Sequence, residues 1–407
     1  MRTKAWIPVL LLIMVLGAVM NSALWITISA MLLTIMGVTS WWRDHALDGI
    51  VYNRRWHYRR SFPGETSPVR IEIENNKLLP VSWLRVIDPW PLAVAPDDSS
   101  ALAPSHIRDM SYLTHLFSLR WYEKTRRDYI LLFQKRGVYQ VGPAHLSSGD
   151  LFGMYDTSTD LEKVEYLTVF PEMLPLHEIK LEAQNPFGDR ASRRRIFDDP
   201  NRPVGVREYH PEDGFRKVHW PATARTGTLQ VKVYQPVSSQ VMMVCLNSAT
   251  MTRYWEGVIP DMLEQLVKVA TTIVYQGMQA GYSVGLISNS CLAHSDQPFN
   301  VAPGRSPRQL AHLLETLAGV TAFTSAPFES FLLKAMPRVP YGSTLVLVTA
   351  LCGPELQETL VRLRRYRLHT TLISLAEETP PDIPGVRAVH LPYRWNQPED
   401  EREGRSR

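Results

Sequence analysis

A chain of 407 residues, 45% hydrophobic and 21% charged, is long enough for two or three domains and too apolar to be wholly disordered. Its net charge is +4, from 44 basic and 40 acidic side chains, which argues against nucleic acid as a partner because such binders carry a strong basic excess. Cys245, Cys291 and Cys352 are too few and too scattered for a disulfide framework, so a reducing compartment is expected.

No charged side chain occurs between Ala5 and Trp42. A single helix of that length would reach ~57 Å, against a hydrocarbon core of ~30 Å. Two spans resolve the mismatch, about Ala5–Met20 and Ala23–Trp42, with Asn21-Ser22 as the turn. Residues 1–42 are thus expected to form a transmembrane helical hairpin, in contact with lipid through residues 5–42. Arg2 and Lys4 precede it, while Arg43, Arg54, Arg55, Arg59 and Arg60 follow it. Basic flanks on both sides place both ends in the cytoplasm. A cleaved signal peptide over residues 2–20 is the competing reading, weakened by the second apolar run and its heavier basic flank. Residues 43–60 read as a membrane-proximal basic-aromatic segment. In it Arg54, Arg55, Arg59 and Arg60, interleaved with Trp56 and Tyr58, are candidate lipid-headgroup contacts.

From 61 to 176 the pattern is that of short strands. Val69, Ile71 and Ile73 alternate with Arg70, Glu72 and Glu74, the period of a half-buried strand. Further strands are expected at Val81–Ile87, Asp128–Gln134, Val138–Val141 and Val164–Phe170, and an exposed loop at Asp97–His106. Turn residues between short strands predict a β-sandwich domain.

The segment 177–236 crowds Arg207, Glu208, Asp213, Arg216, Lys217 and Arg225 around Tyr209, His219 and Trp220, then runs into an alternating strand that includes Lys232. Charges of both signs among large aromatics suit a compact, mutually paired unit rather than a linker. Pro211-Glu212-Asp213-Gly214 reads as a turn before a short helix capped by Asp213, with Tyr209 and Trp220 packing and Arg216 and Arg225 pairing with acids. The sharper alternative is a hydrolase site with His219 as general base, Asp213 as acid and Arg207 or Arg225 holding an anion. No nucleophile motif, phosphate loop or metal-ligand spacing accompanies it, so no catalytic residue and no cofactor are expected. Arg190, Arg193, Arg194 and Arg195 read as a solvated or ion-paired loop.

From 237 to 395 strands alternate with helices. VMMVCL, with Cys245 as a small core residue, is a buried strand. A helix follows over about Val258–Ala280, with Ile259, Met262, Leu263, Leu266, Val269, Ala270 and Ile273 on one face and Gly281 as its stop. Then come YSVGLIS, the helix SPRQLAHLLETLAG, the strand STLVLVTAL, a helix opened by Pro354, and the strand LHTTLISL. That rhythm predicts an α/β doubly wound domain. Residues 396–407 are expected to be a disordered tail.

These features resemble the bacterial membrane proteins grouped as domain of unknown function 58. The resemblance rests on Phe62–Glu65, Asn75–Leu84, Arg136–Tyr139 with Gly142-Pro143, Ser148–Gly153, Val169–Pro171 and, above all, Gly205–Pro236. It implies a von Willebrand factor A-like domain at the carboxyl end, a bacterial inner-membrane location, and a MoxR-type AAA+ ATPase as partner. Domains of the A type hold a divalent cation through an Asp-x-Ser-x-Ser run, with a Thr and an Asp from later loops. Here Asn247 stands where that Asp would be, followed by Ser248, Ala249, Thr250 and Met251, and the later strand ends in Thr349-Ala350-Leu351. A hard cation needs several anionic or carbonyl oxygens, so no metal is expected. The resulting expectation is a membrane-anchored, non-enzymatic interaction protein, with partner contacts at the loops Asn247–Tyr254 and Thr349–Pro354.

Overall fold

The computed structural model describes residues 6–149, 156–175, 179, 197–211, 213–215, 218–237, 241–293, 295, 297–340, 342–366 and 368–392. The arginine cluster at 190–195, Arg216, Lys217 and the tail 396–407 lie outside the described residues. The chain divides into two compact units, Met1–Phe170 and Pro171–Arg407.

The first unit opens with α1 (Trp6–Val19) and α2 (Ala23–His45), reversed at Asn21, whose φ is 52°. Asparagine is one of the few residues that adopt this left-handed conformation readily. Among the described residues one helix, Ala23–His45, is long and apolar enough to cross a membrane; α1 is apolar but shorter, at 14 residues. Leu24, Trp25, Ile28 and Met31 are exposed along it, which points to membrane anchoring. Its hydroxyls at Thr27, Ser29, Thr34 and Thr39 bond back to carbonyls one turn earlier, so they are satisfied without water.

Eleven strands follow: β1 (Ile50–Trp56), β2 (Arg60–Ser61), β3 (Thr66–Asn75), β4 (Val81–Pro91), β5 (Leu102–Pro104), β6 (Met110–Leu119), β7 (Lys124–Leu132), β8 (Gly137–Val141), β9 (His145–Gly149), β10 (Asp156–Asp160) and β11 (Glu165–Val169). They form sheets ordered β1-β3-β7, β10-β9-β4-β6-β5 and β2-β11-β8. Alternation places Val69, Ile71 and Ile73 against Leu84, Val86, Trp90, Leu113, Leu131 and Phe133 in one core. The first two sheets are also joined by His115 of β6, buried and stacked on Tyr129 of β7 with ring centroids 5.4 Å apart.

Two expectations are corrected. Part of the segment 43–60 is β1, paired along its whole length with β3, and Arg54 within it is turned into the protein instead of towards lipid. The Arg54 side chain is 2% exposed and forks onto Asp88, with Nε 2.7 Å from Oδ2 and a terminal nitrogen 2.6 Å from Oδ1; a second nitrogen lies 3.3 Å from Glu165. Tyr52 and Trp90 also donate to Asp88 Oδ2, Arg59 reaches Glu165, and Arg55 pairs with Glu72. Two buried charges persist only when paired and hydrogen-bonded in this way. Gly142 makes room for the fork: its φ is 86°, and a Cβ there would sit 2.8 Å from the Arg54 guanidinium. The stretch 97–106 is likewise not a plain loop, since it contains β5, paired with β6.

The first strands described in the second unit are β12 (Phe197–Glu208) and β13 (Gln230–Val237), which form a hairpin, the chain between them carrying α3 (Trp220–Thr226). There follow β14 (Val241–Leu246), α4 (Pro260–Gln279), β15 (Ser283–Leu292), β16 (Pro298–Gly304), α5 (Pro307–Ala318), β17 (Val320–Thr324), α6 (Phe328–Ala335), β18 (Thr344–Thr349), α7 (Pro354–Leu363), β19 (His369–Ser374) and β20 (Val386–His390). The sheet runs β16-β15-β14-β18-β19-β20, with β17 on β15. The strands from β15 to β20 in that order are parallel, and β16 is an antiparallel edge. Met242, Val244 and Leu246 pack towards α4 and α5, while Met243 and Cys245 pack towards α6 and α7. A strand covered on both faces must be apolar at every position, which is why VMMVCL shows no alternation. Gly281, just past α4, has φ 83° and ends the helix as its position predicts.

Candidate functional site

Counted in order of appearance, the six main strands are arranged 3-2-1-4-5-6, so strand order reverses between β14 and β18. In open α/β sheets ligands settle outside the carboxyl ends at that reversal. The segments that leave β14 and β18 there are the two singled out by sequence, and they border a cleft of about 580 Å3. Met251, Tyr254 and Trp255 line it from one side, Pro327–Glu329 at the start of α6 from another, and Leu351–Glu355 before α7 from a third. Trp255 is 67% exposed and stands edge-on to Tyr254, their centroids 5.1 Å apart.

Asn247, Ser248 and Thr349 meet beneath the cleft, together with Asn289 of β15 and Thr324 of β17. Asn247 Nδ2 donates to Thr349 Oγ1 at 3.0 Å, while its Oδ1 accepts from the Ala249 amide at 3.1 Å and from Asn289 Nδ2 at 3.2 Å. The Ser248 amide donates to Asn289 Oδ1 at 3.0 Å, and Ser248 and Thr324 hydroxyls bond at 3.0 Å. Thr349 Oγ1 in turn donates to the Leu351 carbonyl at 2.8 Å. Thr250 stands apart from this set: its hydroxyl accepts from the Ile259 amide at 2.7 Å, fixing the chain that enters α4. Asn247, Ser248, Asn289 and Thr349 are all at most 3% exposed. The network is neutral and mutually satisfied, and its five side chains include no carboxylate. A hard cation would find too few anionic oxygens there to offset its dehydration. Among the described residues no group of three or more His, Cys, Asp or Glu side chains is placed to hold a metal ion.

Asn289 and Thr324 were missed by sequence reading. The strand YSVGLIS extends to Leu292, and the polar run Ser288-Asn289-Ser290 at its carboxyl end is wholly buried. Buried polar residues at that end of a parallel strand, next to Asn247, are the feature that could have found them.

In the hairpin region the pairing differs from the expected one. Arg207 grips Asp213 with two nitrogens at 2.6 and 2.7 Å, and the His210 amide donates to Asp213 at 2.9 Å. The Arg207 bonds and then that amide hold the Asp213 carboxyl down to about 2. Asp213 therefore closes a turn rather than capping α3. His219 is the cap: its Nδ1 accepts from the Ala222 amide at 3.0 Å, and Gly227, with φ 70°, closes the other end. Tyr209 packs on Phe215 at 5.7 Å, whereas Trp220 is 64% exposed. Glu208 lends its carbonyl to Arg207; Arg225 is exposed in the last turn of α3, and Lys232 faces Val206 across the hairpin. Asp213 thus spends its oxygens on Arg207 and the His210 amide, while His219 Nδ1 accepts from the Ala222 amide.

The uncharacterized protein YeaD of Bacillus subtilis (strain 168) is 22% identical over 199 residues, 49% of this chain and 46% of its own, so the match spans about half of that relative. Among solved structures, the CARDB domain of a Pyrococcus furiosus protein in complex with di-metal ions aligns at 10% identity over 30% of this chain and 89% of its own, with a TM-score of 0.19. The sporulation control protein Spo0M of Bacillus subtilis aligns at 14% identity over 30% and 50%, with a TM-score of 0.18. Overlaps that slight carry no weight for fold or function. The stretch that holds most of the hairpin and the six-stranded order is similar to a family of its own: residues 205–398 match the model described as "Protein of unknown function DUF58".

Proposed function

We propose that this chain is a membrane-anchored interaction protein whose carboxyl-terminal unit, of von Willebrand factor A-like type, captures a protein partner in the cleft between β14, α6 and α7. By family resemblance the partner is a MoxR-type AAA+ ATPase, in a complex that assembles or matures other proteins. The observation that carries the reading is the exposed Trp255 and Met251, with half-buried Tyr254 between them, at the strand-order reversal, above a neutral network that needs no cation. Large aromatics at the rim of a pocket are the residue types that dominate protein interfaces. Both α1 and α2 cross the bacterial inner membrane in this reading, and the basic flanks keep both chain ends and both units in the cytoplasm.

The test is purification of the full-length protein in detergent with the ATPase, in nucleotide-free, ADP-bound and ATP-analogue states. Association that disappears in Met251→Ala/Trp255→Ala, at unchanged unfolding temperature, supports the reading. No association in any nucleotide state overturns it. Topology is read separately, by labelling a cysteine at Ser22 from outside the cell and one at Ile107 only after lysis.

A further inference from the structure

We propose that the β domain carries a second membrane contact, in which Leu78, Trp121 and Tyr122 seat in the bilayer interface beside the end of α2. This rests on the reading of Ala23–His45 as a membrane span. The carboxyl end of α2 is held by the β domain itself. Lys77, in the turn between β3 and β4, donates from Nζ to the carbonyls of His45, Ala46 and Asp48 at 2.6, 2.5 and 2.6 Å. Carbonyls at a helix end lack partners within the helix, and an ammonium is the favourable charge there.

The same block includes the turn between β6 and β7. Buried Asn75 donates from Nδ2 to the carbonyls of Leu79 at 3.0 Å and Arg120 at 2.8 Å, and the Tyr122 amide donates to the Lys77 carbonyl at 3.3 Å. Both turns therefore have a fixed place relative to the helix. The uncharged stretch ends at Trp42, three residues before His45, so the turns lie within about 5 Å of rise of it along the helix.

Three large side chains stand bare on this block: Leu78 at 73%, Trp121 at 61% and Tyr122 at 63% exposure. Tyr122 also holds φ at 51°, a conformation that costs a bulky residue and that no burial of its ring offsets within the chain. Single exposed apolar residues are ordinary, but three on one rigid block at the end of a membrane helix are not. Tryptophan and tyrosine, with an apolar body and a polar tip, favour the headgroup level of a bilayer. The occupant is thus the lipid surface that α2 already enters.

The experiment uses the full-length protein in phosphatidylcholine nanodiscs, its three native cysteines replaced, with a nitroxide at one introduced cysteine at a time. Positions 78, 121 and 122 are compared with Met31 on α2 and with Ile107, in the loop before β6 at the other end of the sandwich. Relaxation by oxygen relative to a water-soluble nickel chelate should be severalfold higher at 78, 121 and 122 than at 107, and should approach that at 31. Water-like values at those three positions, with lipid-like values at 31, overturn the contact and leave the span intact. Water-like values at 31 remove the span and the proposal together. Spin–spin broadening at 121 or 122 would reveal a second copy of the chain on this surface, which also overturns it. The positions are read singly, so one misfolded variant leaves the others to decide.

Discussion

His115 shows how a single inward-facing position sets a property of its domain. Burial, then the nearby Arg127 charge, pushes its imidazole down to about 4, with Asp88 acting weakly the other way. An unfolded histidine takes its proton near pH ~6.5. The unfolded chain therefore binds the proton first as acid is added, so stability is full above pH ~6.5 and falls as the pH drops towards ~4. Thermal unfolding of the first unit should show this decline between pH 6.5 and 5, before most carboxylates titrate, and His115→Gln should flatten it; equal slopes in both proteins would refute the assignment. The Arg54–Asp88 fork gives a second residue-scale expectation. Arg54→Met or Asp88→Asn alone should cost about 3–5 kcal/mol, because the first leaves Asp88 buried without its cation and the second leaves buried Arg54 with only the longer Glu165 contact. Replacing both by apolar residues should cost less than either, which denaturant titration can measure. Neither partner choice was legible in sequence, since the residues lie 34 and 111 positions apart. Arg54 instead looked like one of a row of basic residues beside a membrane.

At the scale of elements, what was readable followed from burial geometry. β14, α4, α5, β18, α7 and β19 stand where apolar runs and helical faces place them, and Pro354 does open α7. β6 was missed although Ser111, Leu113, His115, Phe117 and Leu119 all face inward. Its outward Leu116 is 64% exposed and blurs the alternation. The edge strands β16 and β20 were missed because each is buried only in part. The short helix α3 gave the wrong cap for a physical reason: Asp213 is the usual capping residue, but Arg207 holds it in a turn, and His219 takes the place. Accordingly His219→Ala should speed hydrogen exchange at the Ala222 and Thr223 amides by the loss of about 1 kcal/mol of local stability. Exchange in β14 and β18 should not change; a global loss would show that His219 does more than cap.

For the molecule as a whole, the candidate site was legible in part: Asn247 and Thr349 meet as their strand ends implied, while Asn289 and Thr324 come from a strand end and an added strand that sequence did not resolve. A neutral floor has a measurable result. Magnesium or manganese at millimolar concentration should leave the unfolding temperature unchanged, whereas a site filled at 100 times its Kd would add about 2.7 kcal/mol. Such a shift would show that carbonyls and hydroxyls suffice where carboxylates are lacking. The ionic fork of the first unit has a consequence in time as well as in energy. Arg54 leaves the ribosome just behind the membrane helix, Asp88 follows 34 residues later, and Glu165 only after 111. Contacts so distant along the chain close last. A nascent chain halted before Glu165 should therefore remain protease-sensitive, and resistance should arrive abruptly once β11 has emerged, so that translation itself times the closure of this domain.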